Sequence, residues 1–199
     1  INGDFEGDGS DIVDVRHEAD RTGHLQQELY EAKQNNMGVM LLMHANTVGK
    51  YIATTYPDIV ENTPNYNIYN LHDPKVQEVT EYYVRQVVRY IKSLPNLTSI
   101  CLTNEPCYDT AYFPDTYNPM FQNYLKSIHN TDIETLNNRY GLKGNDRYSS
   151  WESITMPRDV ESSPLFYDWM NFNNMTFANW HAEIEEIIRE EVKGTSIED

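Results

Sequence analysis

The sequence predicts an α/β fold, a parallel sheet with helices outside it, and three observations carry that expectation. Two apolar runs, Gly38-Val39-Met40-Leu41-Leu42-Met43-His44 and Thr98-Ser99-Ile100-Cys101-Leu102-Thr103-Asn104, are short and unalternating, as strands buried on both faces read. Between them a helical pattern starts at Asp73-Pro74 and runs through Val76, Val79, Tyr83, Val87 and Tyr90 or Ile91. Strand, helix, strand in this order fits a parallel sheet, because parallel neighbours need a long crossover between them.

Ile1 to Asp20 is acidic and Gly-rich. Asp4, Glu6, Asp8, Gly9 and Asp11 are spaced like a calcium loop, but Val15 stands where the closing bidentate Glu belongs, so a solvated loop is expected and no metal. From His24 to Asn36 the spacing of Leu25, Leu29 and Ala32 predicts an amphipathic helix that stops at Asn35-Asn36. The first strand, from Gly38 to His44, follows. Lys50 to Asn70, broken by Tyr-Pro and Thr-Pro, reads as loop with a short helical turn near Ile52. The Asp73-Pro74 helix has an Asp suited to capping and a Pro suited to the first turn, and it ends before Pro95.

Beyond Cys107 the rhythm changes. Tyr108 to Pro164 is too long for a simple connection and holds helical pieces of its own, one on Phe121, Tyr124, Leu125 and Ile128, another on Ile133, Leu136 and Tyr140 before Gly141. Residues 108–164 are therefore expected to be an insertion over the active-site face. A long helix from Leu165 to Val192 closes the chain, with Gly194 past its end.

Charge narrows the partners. Fifteen Lys and Arg against 31 Asp and Glu give a net charge of −16, which repels phosphate backbones and anionic membrane surfaces, so neither nucleic acid nor a membrane is expected. No run approaches the ~20 apolar residues of a membrane span. The two cysteines, Cys101 and Cys107, form neither a disulfide framework nor a CxxC pair. Fifteen Tyr and three Trp could stack on sugar rings, with core packing the ordinary use for most of them. The chain opens on Ile1 with no initiator Met, which reads as a processed or excised piece.

The chemistry concentrates at Asn104-Glu105-Pro106. A carboxylic acid at the carboxyl end of a buried parallel strand stands where such sheets carry their active sites, and it can protonate a leaving oxygen. The strand geometry predicts Glu105 in a pocket. Ordinary strand punctuation before a Pro is the competing reading of the tripeptide. His44 ends the earlier strand and is a candidate for lining the site, with a core histidine as its alternative. Trp151 and Tyr108 are candidates for a stacking contact with a ligand, against simple packing of the insertion. His17, His24, His72, His129 and His181 have no ligand spacing.

These residues resemble a known family. Asn104-Glu105-Pro106 after an apolar strand looks like the acid/base strand of clan A glycoside hydrolases. Phe121-Gln122-Asn123-Tyr124-Leu125, Thr135-Leu136-Asn137-Asn138-Arg139-Tyr140-Gly141, Ser150-Trp151-Glu152-Ser153-Ile154 with Pro157, and Leu165-Phe166-Tyr167-Asp168-Trp169 with Phe172 are similar, in order, to glycoside hydrolase family 42, the β-galactosidases. Upstream, Tyr51-Ile52-Ala53 with Tyr56-Pro57-Asp58-Ile59 is similar to the segment after that family's third strand. Two features depart from it. Pro106 follows Asn-Glu, as is usual in clan A endo-glycanases, and of the cysteines that often bind zinc nearby only Cys107 is present, so no zinc and no other cofactor is expected.

The resemblance implies a partial (β/α)8 TIM barrel, about half of it, from the second to the fourth βα unit with the insertion after the fourth strand, residues 1–199 being a fragment of the catalytic domain. It implies a carbohydrate substrate and retaining hydrolysis, with Glu105 as general acid/base, Asn104 on the sugar 2-hydroxyl and a nucleophilic Glu on a seventh strand outside this chain. Asp168 would anchor the insertion. The isolated piece is then expected to be inert, and its open strand edges would pair with the rest of the barrel or with a second copy. A clan A endo-glycanase on another polysaccharide is the alternative enzyme, and a carbohydrate-binding half-barrel without catalysis the alternative outside enzymes. A nucleotide-binding domain finds no Gly-rich phosphate loop in its support.

Overall fold

The computed structural model describes residues 29–46, 48–62, 67–92, 96–106, 108, 114–158 and 162–194. The acidic stretch with its calcium-like spacing, Cys107 and the start of the first expected helix lie outside them. The chain divides into two compact units, 1–106 with 179–199, and 107–178.

In the first unit, residues 29–34 are helical (α1) and end in a turn at Asn35-Asn36, where Asn36 takes a φ of 53°. Asn and Gly tolerate this left-handed region best, so the stop falls where the sequence places it. Strand β1 (Val39–Leu42) pairs in parallel with β4 (Leu97–Cys101), Leu41 opposite Ile100 and Leu42 opposite Cys101. Gly38 is required just before β1, because a Cβ there would lie 2.5 Å from Thr98 Cγ2 while the Thr98 hydroxyl donates to the Val39 carbonyl at 3.0 Å.

One expectation fails here. The strands are not buried on both faces: Met40 is 65% and Leu42 42% exposed, and Thr98 and Ser99 are exposed as well. Met40 and Leu42 share a face with their partners Ser99 and Cys101, and both apolar side chains are exposed on it. An unalternating apolar run reports a strand meant to be covered twice, and only two strands of this sheet occur among the described residues.

Between the two strands lie α2 (Lys50–Thr55), a single 3-10 turn, the short antiparallel pair β2 (Val60–Asn62) and β3 (Asn67–Tyr69), and α3 (Pro74–Ile91). The strand pair occupies a region expected to be loop. Three-residue strands show no countable period, yet this pair matters to the core. Ile59 and Tyr69 pack with Val48, Val76 and Val79, against which Ile52, Ala53, Tyr56, Val60 and Leu71 also lie. Fully burying one such aliphatic side chain is worth about 1.5–3 kcal/mol.

Helix α3 starts as its sequence dictates. The Asp73 carboxylate accepts from the Lys75 backbone N–H at 2.8 Å, and Pro74 fills the first turn, where its missing N–H costs nothing. Its buried stripe runs Val76, Val79, Thr80, Val84, Val87, Val88 and Ile91, so Ile91 and not Tyr90 completes the face.

The long helix α6 (Pro164–Val192) enters this unit with its last turns, where Trp180, Ile184 and Val192 are buried at multiples of four residues. Charge fastens these turns to α3. Glu191, only 10% exposed, accepts from Arg89 at 2.7 and 3.0 Å and from Arg85 at 3.1 Å, while Arg85 also reaches Glu190 and Glu81. Lys92 Nζ donates to the Glu191 carbonyl at 3.0 Å, a cation at the negative end of a helix.

The bonds from Arg89 hold the Glu191 carboxyl below its usual range, against the opposing effect of burial, and Arg85 adds to them. A depressed carboxylate stabilises the fold above the unfolded-state value and loses that contribution as pH falls through the folded-state value. Glu191→Gln is therefore expected to lower stability by about 1 kcal/mol at pH 7 and to flatten the acid limb of a urea-unfolding series between pH 6 and 3. A variant as acid-sensitive as the parent would refute this.

The second unit takes in residues 108–164 together with the first half of α6. It contains α4 (Asn118–His129), α5 (Ile133–Arg139) and single 3-10 turns at Asp115–Tyr117, Gly144–Asp146 and Trp151–Ser153. Phe121, Leu125, Leu136, Ile154 and Trp169 are fully buried, and Phe172 meets Phe121 and Tyr124 at ring distances of 5.4 and 5.3 Å. Two buried amides hold the irregular chain. Asn137 Nδ2 donates to the Tyr148 carbonyl at 2.9 Å while its Oδ1 accepts from the Tyr148 N–H at 2.8 Å, and Gln122 Nε2 donates to the Ile154 carbonyl at 2.8 Å. Backbone without a helix or ladder must find its partners in side chains.

Candidate active site

Three of the candidate residues, His44, Asn104 and Glu105, lie past the carboxyl ends of β1 and β4. Parallel pairing outlasts both strands, since the Met43 N–H donates to the Cys101 carbonyl at 2.8 Å and the Ala45 N–H to the Leu102 carbonyl at 2.9 Å. Both chains then turn. His44, two residues past β1, has a φ of 56°, and Glu105, four residues past β4, has a φ of 44°. A positive φ at a non-Gly residue costs of order 1–3 kcal/mol, and Glu105 also precedes Pro106, which restricts it further.

Two expectations need correcting. Glu105 is not the last residue of a buried strand; it sits on a bend, because the positive φ breaks the extended run after Thr103. Nor is it enclosed. Asn104, Glu105 and His44 are all exposed, for the same reason that Met40 and Leu42 are: little of the sheet stands around them. A groove lined by Ala182, Glu185, Glu186, Arg189 and Glu190 runs along the end of α6, and its walls contain none of the candidate residues.

Side chains from two helices reach these strand ends. Tyr83 of α3 donates its phenol to the Met43 carbonyl at 3.0 Å, and His181 of α6 shares a 3.1 Å hydrogen bond with the Thr103 hydroxyl. Burial pushes the Tyr83 phenol up to about 12 and holds the His181 imidazole below its ordinary range. At neutral pH the phenol keeps its proton. Burial likewise lowers His72, between β3 and α3, to about 4.

The remaining candidates belong to the second unit. Tyr108 is buried, its ring stacked on Phe177 at 4.7 Å. Trp151 is half-buried, with the Lys126 ammonium 5.9 Å from its ring centre and Glu152 3.6 Å from that ammonium. Here too lies a polar cluster that motif spacing did not reveal. Asp168 Oδ2 accepts from Tyr140 Oη at 2.5 Å and from His129 Nε2 at 2.6 Å, which ties together α4, α6 and the residue that follows α5. Among the described residues, no three His, Cys, Asp or Glu side chains gather closely enough to hold a metal, and no helix is long and apolar enough to cross a membrane.

The β-galactosidase profile of glycoside hydrolase family 42 matches residues 21–199. The chain belongs to that family. Solved β-galactosidases share its fold. The enzyme from Bacillus circulans sp. alkalophilus superposes with a TM-score of 0.67 at 15% identity, over 87% of this chain and 28% of its own. The cold-adapted enzyme from Rahnella sp. R3 gives 0.68 at 18%, over 84% and 26%, and that from the haloarchaeon Halorubrum lacusprofundi 0.67 at 20%, over 85% and 27%. No curated protein sequence matches significantly. The chain thus spans 28% or less of the length of these β-galactosidases. It is an α/β part of their TIM-barrel fold.

Proposed function

We propose that the protein carrying this chain is a retaining glycoside hydrolase acting on β-galactosides or closely related β-glycosides. Glu105 serves as general acid/base, and a nucleophilic carboxylate outside these residues completes the site. Family membership supports the substrate class, and the observation that carries the residue assignment is the pair of turned, exposed strand ends bearing His44 and Asn104-Glu105 side by side.

Retaining cleavage needs two carboxyl groups about 5–5.5 Å apart, one to protonate the leaving oxygen and one to attack the anomeric carbon. Glu105 takes the first role and later removes a proton from the incoming water. Asn104 hydrogen-bonds the 2-hydroxyl, an interaction that tightens as the ring gains oxocarbenium character. His44, one strand away, lines the sugar subsite. The reading does not depend on Tyr108 or Trp151 stacking on substrate, since Phe177 and Lys126 already meet those rings. Residues 108–164 are the insertion after the fourth strand in this reading.

The test is a panel of chromogenic β-galactosides, β-glucosides and β-mannosides given to the protein as it occurs, with the anomer of the first product followed by proton NMR. Galactoside cleavage with retained configuration is expected. Preference for the β-mannosides or β-glucosides would favour the glycanase reading suggested by Pro106, and inversion would overturn the two-carboxylate assignment.

A further inference from the structure

The two turned strand ends share one device. Each is gripped by a helix-borne polar side chain just before the positive-φ residue: the Tyr83 phenol at the carbonyl of Met43, next to His44, and the His181 imidazole at the Thr103 hydroxyl, two residues before Glu105. Neither grip is needed to complete a secondary structure. The Met43 carbonyl lies past the end of β1 and the Thr103 hydroxyl past the end of β4. Each is instead an anchor at the point where the chain leaves extended geometry for a strained turn, which persists only where its surroundings hold it.

We propose that Tyr83 and His181 are positioning residues, which act through Met43 and Thr103 to present His44 and Glu105 to the substrate. The inference rests on the proposed glycosidase reading for its kinetic consequence, but its structural half stands apart from it. Tyr83 keeps its proton across the working pH range because burial raises the phenol, so it remains a donor. His181, whose imidazole burial holds below its ordinary range, shares a hydrogen bond with the Thr103 hydroxyl. A grip of this kind changes where the carboxyl sits without changing what it is, and misplacement by about 1 Å can cost on the order of 100-fold in rate.

The experiment compares Tyr83→Phe, His181→Ala and His181→Gln in the protein as it occurs, using kcat and KM on a β-galactoside, thermal melting, and backbone amide NMR. Tyr83→Phe removes one oxygen and His181→Ala a half-exposed ring, so both are expected to melt near the parent. kcat is expected to fall about five- to thirtyfold with KM changed less than twofold, and His181→Gln, whose amide can still bond the hydroxyl, to recover most of it. The amide signals of His44 and Ala45 are expected to move in Tyr83→Phe, and those of Asn104 and Glu105 in His181→Ala. Unchanged kcat in an active enzyme, a loss that only follows melting, or no recovery in His181→Gln overturns the proposal. If the parent cleaves no β-glycoside, the glycosidase reading fails alone, and the amide signals then decide: shifts confined to these turns uphold the grip, and unmoved signals end it.

Discussion

Glu105→Gln, made in the protein that carries this chain, is expected to lower kcat/KM on an unactivated β-galactoside by about 10²–10⁴-fold. The amide has nearly the shape of the acid but no proton to give, so the leaving alkoxide must depart unassisted. A dinitrophenyl galactoside supplies a leaving group that needs no proton, and its first step is expected to survive the substitution. That contrast separates a lost acid from a damaged fold. Melting is expected to stay unchanged, because the Glu105 side chain is exposed and belongs to no packed core. Parent-like hydrolysis of the unactivated substrate would remove Glu105 from the mechanism.

Asp168→Ala is expected to destabilise the 107–178 unit by about 2–4 kcal/mol, since it deletes a largely buried carboxylate that accepts two charge-assisted bonds. His129 and Tyr140 would keep only each other, at 3.2 Å. Trp169, fully buried next along α6, offers a fluorescence signal for urea unfolding. The cluster also sets an alkaline limit. Burial first, and then the bond to Asp168, raise the Tyr140 phenol well above its ordinary value of 10.0. A raised folded-state value means full stability below the unfolded-state value and loss as pH climbs past it. The unit is thus expected to weaken above about pH 10, and Tyr140→Phe to weaken less steeply there. An Asp168→Ala protein that unfolds with the parent would show the cluster to be incidental.

The family motifs become physical in this light. Phe121, Leu125 and Leu136 are core, Gln122 and Asn137 secure backbone without secondary structure, Tyr140 and Asp168 bind each other, and Gly141 takes a φ of 72° just past α5. Their order along the chain was enough to recognise the family, while their purpose appeared only once the segments had folded together. The anchoring role expected of Asp168 rested on resemblance; its partners His129 and Tyr140 lie 39 and 28 residues away, beyond any local pattern.

Helix ends are legible in the sequence. The Asp73-Pro74 start and the stops at Asn36, Gly141 and Gly194 are written in residues whose own backbone preferences act locally. The β2–β3 pair escaped because three residues a side cannot display a period, and its stability comes from the contacts of Ile59 and Tyr69 in the core.

Local chemistry thus determined the parallel α/β character, the helix ends, the acidic surface and the position of Asn104-Glu105 past an apolar strand, because each follows from neighbours a few residues apart. Tertiary structure alone decided the rest. It turned His44 and Glu105 through positive φ, left them and one face of the β1–β4 pair exposed, and brought Tyr83 to Met43 and His181 to Thr103 across 40 and 78 residues. Burial and hydrogen bonding between distant segments are properties of the folded chain, and no spacing along the sequence encodes them.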